Sequence, residues 1–506
     1  MGIKESDNEV EKNEERSQRR FFWPFVKQLF NIKHLFILTT AIVLSGCATP
    51  GFDERHDVSQ EMRTRLMQES SDLLSGKSGT LSLQDTLQIG RERSLKLTSA
   101  RLEAELASIR RDASFAVFLP RVTGTYGIGN FDAHASGLGY SYDNSTLDGD
   151  ITGIRLVQPV FTPAAWLMYV EAGYGKRISE IRLARTTELL DLRIAQLYHQ
   201  LVIASRLEDL HRTRLEADSS MADRLEKMLA EGYALQSDVL RIRARVSSDE
   251  IALRDSRNKV ILTRGKLNET LHLWQLAEYG VVGESLAFAA GAPWEWTDDE
   301  GNTVMKADAE MRRLPLEDFI WQGLIGRKEL YASDQAVAAR KTEVMKAMAG
   351  FLPNIAADVG WTSLSLEHLT ARYWNAALVG SWSIFSGFST VNEYRAAKAR
   401  QSSEFLIRED RMMVVVTSVV EAWQNWKIAA GRAESAELAR EAARHDYDET
   451  EKRLADGQET ASRLLDKLAA LEAAEIAAET ARYSEALAGL VLREAVGNDI
   501  FKEEEK

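Results

Sequence analysis

The chain has 506 residues and carries 63 Lys and Arg against 76 Asp and Glu, a formal net charge of −13. That length allows several globular domains or one very extended fold, and an acidic chain without a basic cluster is a poor binder of nucleic acid. One cysteine excludes an intramolecular disulfide or a cysteine-rich zinc site, while only 8 prolines suit long helices.

Residues 1–33 are polar and mixed in charge, with a basic patch at Arg19-Arg20. An apolar run follows at residues 35–44, preceded by Lys33 and His34. It is too short to span a bilayer, which needs about 20 residues, but it suits a signal-peptide core. The run ends Leu44-Ser45-Gly46-Cys47. Small residues before a lone cysteine at this place resemble a bacterial lipobox. The resemblance implies a signal peptide over residues 1–46 with an unusually long leading region. It makes Cys47 the lipidated start of a linker over residues 47–79. Ala48 stands where an aspartate would be associated with retention in the inner membrane. The alternative for Cys47 is a buried free thiol at the end of a signal anchor.

From residue 80 the chain runs through one plan twice. Phe118-Leu119-Pro120 and Phe351-Leu352-Pro353 each close a charged, alanine-rich helical stretch, because proline lacks an N–H and clashes with the preceding turn. Sequence that alternates at period two follows each proline, which predicts strands. The first repeat, residues 80–290, predicts a helix over 81–118, opening near Ser82 with Asp85 in its first turn. Strand, loop and strand come next over 121–161. A long helix follows over 163–230, then a break at Gly232 and a helix over 236–273. Val239, Val246, Leu253, Val260 and Leu267 recur every seven residues, the mark of coiled-coil packing.

An irregular collar is expected over residues 291–315, where Trp294 and Trp296 stand beside Asp298 and Asp299; a sugar- or peptidoglycan-binding patch is the alternative. The second repeat, residues 316–497, predicts a helix to 351, strands over 354–366 and 372–385, a helix over 391–455, a break at Gly457 and a helix over 460–496. A charged tail, residues 498–506, ends the chain. Adding 225 carries Gly232 onto Gly457, Val239 onto Leu464 and Val246 onto Leu471, whereas Val260 meets Glu485. The chain is therefore an internal duplication.

Lengths constrain the fold. The long helix of each copy has about 65 residues, roughly 100 Å at 1.5 Å per residue, and the two shorter helices together match it. Each copy is then a long antiparallel helical pair with two strands at one end. Four strands of about ten to twelve residues suit a membrane β-strand. Four cannot close a barrel, and open edges do not survive in lipid, so several chains must share one barrel; three chains would supply about twelve strands. In the last strand Trp374, Ala376, Leu378, Trp382 and Ile384 form an apolar face, opposite Tyr373, Asn375, Ala377, Ser381 and Ser383.

The order and duplication of these features resemble the TolC-like outer-membrane efflux protein family over about residues 80–497. Phe-Leu-Pro comes before a strand, and Gln158-Pro159-Val160-Phe161 or Ile384-Phe385-Ser386-Gly387 after one. Gly232 and Gly457 stand at the helix turns, and Ser237-Asp238-Val239-Leu240 follows the first turn. The resemblance implies a mainly α fold with membrane β structure. Duplicated helical hairpins would form a periplasmic α-barrel tunnel, and four strands per chain would enter a shared trimeric 12-stranded β-barrel. It implies an exit duct of a tripartite efflux system, working with a periplasmic adaptor and an inner-membrane transporter. It further implies docking tips at Gly232, Tyr233, Gly457 and Gln458. A periplasmic gate is carried over onto Asp238, Leu454, Glu459, Arg463 and Asp466. The second turn departs from the family's closed form: Leu454 replaces an aromatic hydroxyl, Glu459 a base and Arg463 an acid, while Asp466 keeps its acid. Arg463 can reach Asp238 across the turn as a reversed latch, or pair with Glu459 on its own helix. A duct for type I secretion and a stand-alone tether or porin are the other functional readings.

No catalytic constellation is visible, and no cofactor or metal is implied. The eight histidines, at positions 34, 56, 134, 199, 211, 272, 368 and 445, never form a His-Glu-x-x-His spacing. Cys47→Ser is expected to abolish incorporation of labelled palmitate. A purified mature chain beginning elsewhere, or an unlabelled wild type, would remove the lipobox reading.

Overall fold

A computed structural model describes residues 52–498, apart from short stretches at 77–78, 133–135, 138–139, 142–145, 233, 283–293, 298–302, 307, 367–368 and 457. The expected signal peptide, Cys47, Tyr233 and Gly457 lie outside the described residues, as does all but the first residue of the charged tail. Residues 1–68 and 69–506 are separate units. Helix α1 (Phe52–Ser75) occupies most of the stretch expected as a linker.

Within the second unit the expected helix over 81–118 is two helices, α2 (Leu83–Arg93) and α3 (Leu95–Phe115). Ser82 caps α2 in a reciprocal capping box with Asp85. The break falls at Ser94, whose backbone is extended (φ −61°, ψ 117°) and whose hydroxyl caps α3. The second copy breaks at the matching place, Arg327 (φ −71°, ψ 121°), between α6 (Leu316–Gly326) and α7 (Lys328–Ala349). The serine cap is legible in the sequence; the arginine is not a capping residue, so only the duplication points to the second break.

The strands that follow are β2 (Arg121–Asp132) and β3 (Thr146–Phe161) in the first copy, β7 (Asn354–Leu366) and β8 (Leu369–Ser381) in the second. A two-residue parallel pair, β1 (Thr80–Leu81) with β4 (Gly280–Val281), lies beside the helices. The expected irregular collar contains a hairpin, β5 (Trp294–Thr297) with β6 (Thr303–Lys306). The last strand stops at Ser381 and not at residue 385. Gly387 and Phe388 both take left-handed backbone (φ 61° and 66°), turning the chain into the next helix.

The long helices are α4 (Pro163–Ala230) and α8 (Ser389–Ala455); their return partners are α5 (Gln236–Leu271) and α9 (Ala461–Ala495). Near the strands the helices lie side by side in the order α3, α4, α7, α8; toward the turns α5 packs on α4 and α9 on both α8 and α4. The two long helices are thus continuous, and shorter helices fill the places beside them in succession. Gly232, with φ 82°, makes the first turn. The seven-residue seam is buried at Val239, Leu253, Val260 and Leu267 and half-buried at Val246. Where that seam decays in the second copy, Glu485 reaches Arg312 at 2.6 Å.

The largest core joins α2, α4, α5 and α9 around Ile194, Leu197, Tyr198 and Leu201. Tyr198 is fully buried; its hydroxyl donates to Leu81 O (2.9 Å) and accepts from Val282 N (3.0 Å), holding the small parallel pair against α4. Beside it His199 is 1% exposed, neither ring nitrogen has a partner, and burial pushes its pKa down to about 4. The unfolded chain protonates His199 below its ordinary value near 6.5, while the folded chain resists until about 4. Stability from this group is therefore lost as pH falls through that window, by roughly 3 kcal/mol in full. His199→Phe should flatten the decline in apparent Tm between pH 6.5 and 4. An unchanged decline would mean that His199 does not carry it.

Candidate channel wall and helix-turn tips

The four longer strands form one antiparallel sheet in the order β8-β7-β3-β2, so the two repeats join where β3 pairs with β7. Strands β2 and β8 each have one paired side within the chain and one open edge. Register sorts the side chains. One face carries Val122, Tyr126 and Ile128 of β2, Ile154 and Leu156 of β3, Val359 and Trp361 of β7, and Trp374 and Leu378 of β8. Val122, Tyr126, Ile128, Ile154, Trp374 and Leu378 are all exposed. The opposite face holds most of the polar groups, Thr123, Thr125, Arg155, Asp358, Thr362 and Asn375, with Ile151, Val157, Leu364 and Val379 among them. An apolar outer face and a polar inner one are the pattern of a membrane β-barrel wall. On the polar face Arg155 binds Asp358 across the repeat junction, with Nε 3.1 and 2.9 Å from the two carboxylate oxygens. Gly360 makes room for Asn375: a Cβ there would lie 2.6 Å from Asn375 Oδ1.

The passage from sheet to helix is built alike in both copies. Gln158 Nε2 donates to Phe118 O (2.8 Å), and Trp382 Nε1 donates to Phe351 O (3.0 Å). The phenylalanine carbonyl of each Phe-Leu-Pro is thereby satisfied by the end of the returning segment. Pro159 sits at an irregularity in the β3–β7 register, where a missing N–H is tolerated.

Exposed apolar side chains mark both flanks of the helical layer. Leu102, Leu106 and Ile109 lie on α3 and Ile251 and Leu262 on α5; Leu406, Met413 and Leu438 lie on α8. Among the described residues no helix is long and apolar enough to cross a membrane.

At the turns Gly232 and Gln458 are exposed. Asp238 is half-buried in the first turn of α5, Leu454 and Glu459 are half-buried, and Asp466 is exposed. Arg463 Nε lies 3.6 Å from Glu459 Oε1, and its side chain is 65% exposed. Among the described residues no hydrogen bond or ion pair joins Arg463 to Asp238. The single chain thus forms the Glu459–Arg463 pair, but Glu459 precedes the Thr460 N-cap of α9, so the two do not share a helix face as expected, and solvent screening limits the pair to about 0.5 kcal/mol.

Sequence reasoning missed the buried ion clusters that join the helices. Arg91 of α2 binds Asp191 of α4 through Nε and Nη2, with contacts of 2.8–3.2 Å. Arg185 of α4 meets Glu494 of α9 and, at 2.6 Å, Glu329 of α7, while Arg327 Nη1 reaches Glu494 Oε1 at 2.8 Å. Lower down, Arg214 and Asp218 of α4 mesh with Arg245 and Asp249 of α5 and Glu472 of α9. In sequence, Arg214/Asp218 and Arg245/Asp249 look like two ordinary surface pairs four residues apart. The one available signal is that Asp249 precedes Leu253 of the buried seam by about one helical turn.

Residues 320–498 match the outer membrane efflux protein family. The described chain superposes on several outer-membrane channels. VceC of Vibrio cholerae shares 14% identity over 83% of this chain and 97% of its own, with a TM-score of 0.65. That match covers most of the second repeat, and the chain as a whole has the TolC-like fold. CmeC of Campylobacter jejuni shares 15% identity over 84% of this chain and 87% of its own, at 0.65. MtrE of Neisseria gonorrhoeae, captured in an open state, shares 16% over 84% and 91%, at 0.63. By sequence, no curated protein matches. The efflux family is one of outer-membrane channels and not of enzymes.

Proposed function

We propose that this chain is one third of a passive exit duct in the outer membrane of a Gram-negative bacterium, opened by a periplasmic adaptor and an inner-membrane transporter. One observation carries the reading. A four-stranded sheet, apolar on one face and more polar on the other, has two open edges and runs directly into a helical layer whose flanks are also apolar. Unpaired edge N–H and C=O groups cannot face lipid, where each would cost several kcal/mol. Pairing β8 of one copy with β2 of the next satisfies them, and three copies make a barrel of about twelve strands. The same rotation lays α8 of one copy against α3 and α5 of the next, covering both apolar flanks.

On this reading lipidated Cys47 adds an anchor to one the barrel already supplies. The tips at Gly232, Tyr233, Gly457 and Gln458 dock the adaptor, and residues 80–290 and 316–497 act as the two wall segments. A type I secretion duct would use the same wall, as would a stand-alone porin or tether. Short turns of small and polar residues at the tips favour a docked duct.

Cross-linking the full-length protein in detergent should stop at trimer. A monodisperse monomer that still forms pores would overturn the shared barrel. In cells, deleting the gene should sensitise to the same toxic compounds as deleting its transporter partner, with no further loss in the double deletion.

The gate is proposed at Asp238, Leu454, Glu459, Arg463 and Asp466. Because no hydrogen bond or ion pair joins Arg463 to Asp238 among the described residues, their latch would close between neighbouring subunits, repeated by threefold symmetry. Arg463→Ser and Asp238→Ser should each raise single-channel conductance, and the Asp238→Arg, Arg463→Asp exchange should restore part of the closure. Unchanged conductance in both single variants, with trimers intact, would leave only the Glu459–Arg463 surface pair.

A further inference from the structure

About three to four helical turns from the Gly232 bend, α4, α5 and α9 meet around a closed group of charges. Asp218 is 0% exposed, Asp249 2% and Glu472 8%. Arg245 Nε donates to Asp218 Oδ2 (2.5 Å), its Nη2 to Glu472 Oε2 (3.0 Å) and its Nη1 to Leu465 O (2.9 Å). Arg214 Nε lies 2.8 Å from Asp249 Oδ1 and 3.1 Å from Glu472 Oε2. Each arginine thus binds the acid of the other helix and shares Glu472 of the second repeat. Three carboxyl groups face two guanidinium groups. The remaining oxygens, Asp218 Oδ1 and Asp249 Oδ2, are buried and find no N–H donor. Asp249 and Asp218 are neighbours in this group, each disfavouring the other's negative charge, and two adjacent buried carboxyl groups left without a donor can hydrogen-bond to each other only if one holds a proton.

We propose that Asp218 and Asp249 share one proton, and that this proton sets how firmly the first hairpin grips helix α9 of the second. With the proton held, two carboxylates balance two guanidinium groups and the three helices are clamped near their turns. With it released, one uncompensated negative charge is left in a buried site, which favours separation of α5 and α9 from α4 and entry of water. The clamp lies between the core that closes the tips, around Leu225, Val239 and Leu465, and the main core above it. Loosening it frees the tips without unfolding the wall.

The surroundings favour titration in the physiological range. Burial, then the neighbouring Asp218 carboxyl, raises Asp249 to about 7, and burial also raises Glu472. From α9, Glu475 adds negative potential, although Arg444 of α8 holds it at 2.5 Å. His211 of α4 supplies no compensating cation, since burial together with Arg214 and Lys259 lowers its pKa. For a carboxyl raised in the clamped state, the stabilisation is complete below the ordinary value near 3.8 and is lost as pH rises to about 7. The clamp therefore loosens with rising pH, opposite in sign to the effect of His199.

The full-length wild-type protein in detergent, followed by infrared difference spectroscopy, tests the proton directly. The carbonyl stretch of a buried carboxylic acid should be present at pH 6 and fall by about tenfold by pH 8, as one group with a pKa near 7 requires. Asp249→Asn and Asp218→Asn, each near-isosteric, should both remove it. Absence of the band at pH 6, or its persistence in both variants, would overturn the shared proton. The mechanical role rests on the channel reading and is tested separately in planar bilayers. Wild-type conductance should rise from pH 6 to 8, while Asp249→Asn, whose amide keeps a donor toward Asp218 and adds no charge, should hold the low-pH value throughout. Equal pH dependence in wild type and variant would overturn the clamp. A wild type that forms no pore would instead defeat the channel reading, with the infrared band still reporting the proton.

Discussion

Backbone hydrogen bonding at the two open strand edges governs the rest of this protein. Within the chain β3 and β7 are paired on both sides, whereas β2 and β8 are each paired on one. Water would satisfy those edges, but the exposed Trp374, Leu378, Ile128 and Val122 on one face belong in lipid, where water is absent. On the proposed reading, side-chain chemistry and backbone chemistry are both met when a second copy continues the sheet. The helical layer obeys the same geometry, because each strand runs on into a helix. Neighbouring strands are about 5 Å apart and packed helices about 8–10 Å, so the chain must spread between the two. Phe-Leu-Pro marks that change of spacing in both copies, and each freed phenylalanine carbonyl finds a side-chain donor, Gln158 in one and Trp382 in the other.

A second constraint is axial register. A seam such as Val239, Val246, Leu253, Val260 and Leu267 tolerates a slip of one heptad, since apolar contacts are non-directional. Buried ion pairs do not, because a misplaced partner leaves an unpaired charge that costs about 3–5 kcal/mol. Arg91–Asp191, Arg185 with Glu329 and Glu494, and the Arg214/Arg245 group occur at three heights along α4. The last two also tie the first repeat to the second. They hold the duplicated halves at a fixed offset, and the lowest of them, with one carboxyl in excess, is the place where the hold can be released.

Much of the fold was legible before any coordinates. Proline and glycine act locally: Pro120 and Pro353 end helices, and Gly232 makes a turn, whatever packs around them. The heptad seam and the alternation in β8 are likewise properties of neighbours along the chain. The limits of that reasoning appear at Arg327, where a helix breaks without a capping side chain, and at residues 382–385, where alternation continues past the last paired residue.

The sequence by itself determined the long helices, the strand pairs and their repetition along the chain, because these rest on local backbone preference. Only the tertiary structure decided how the charges are used. Arg214 with Asp218 and Arg245 with Asp249 are each spaced to pair on their own helix, but the helices exchange partners and enclose Glu472. At the tip, by contrast, Arg463 stays with Glu459 four residues away. Spacing is the same in all three cases. Burial separates them: an exposed pair is settled by whichever neighbour is close along the chain, whereas buried charges must satisfy every donor and acceptor at once, and that accounting exists only after the helices have packed.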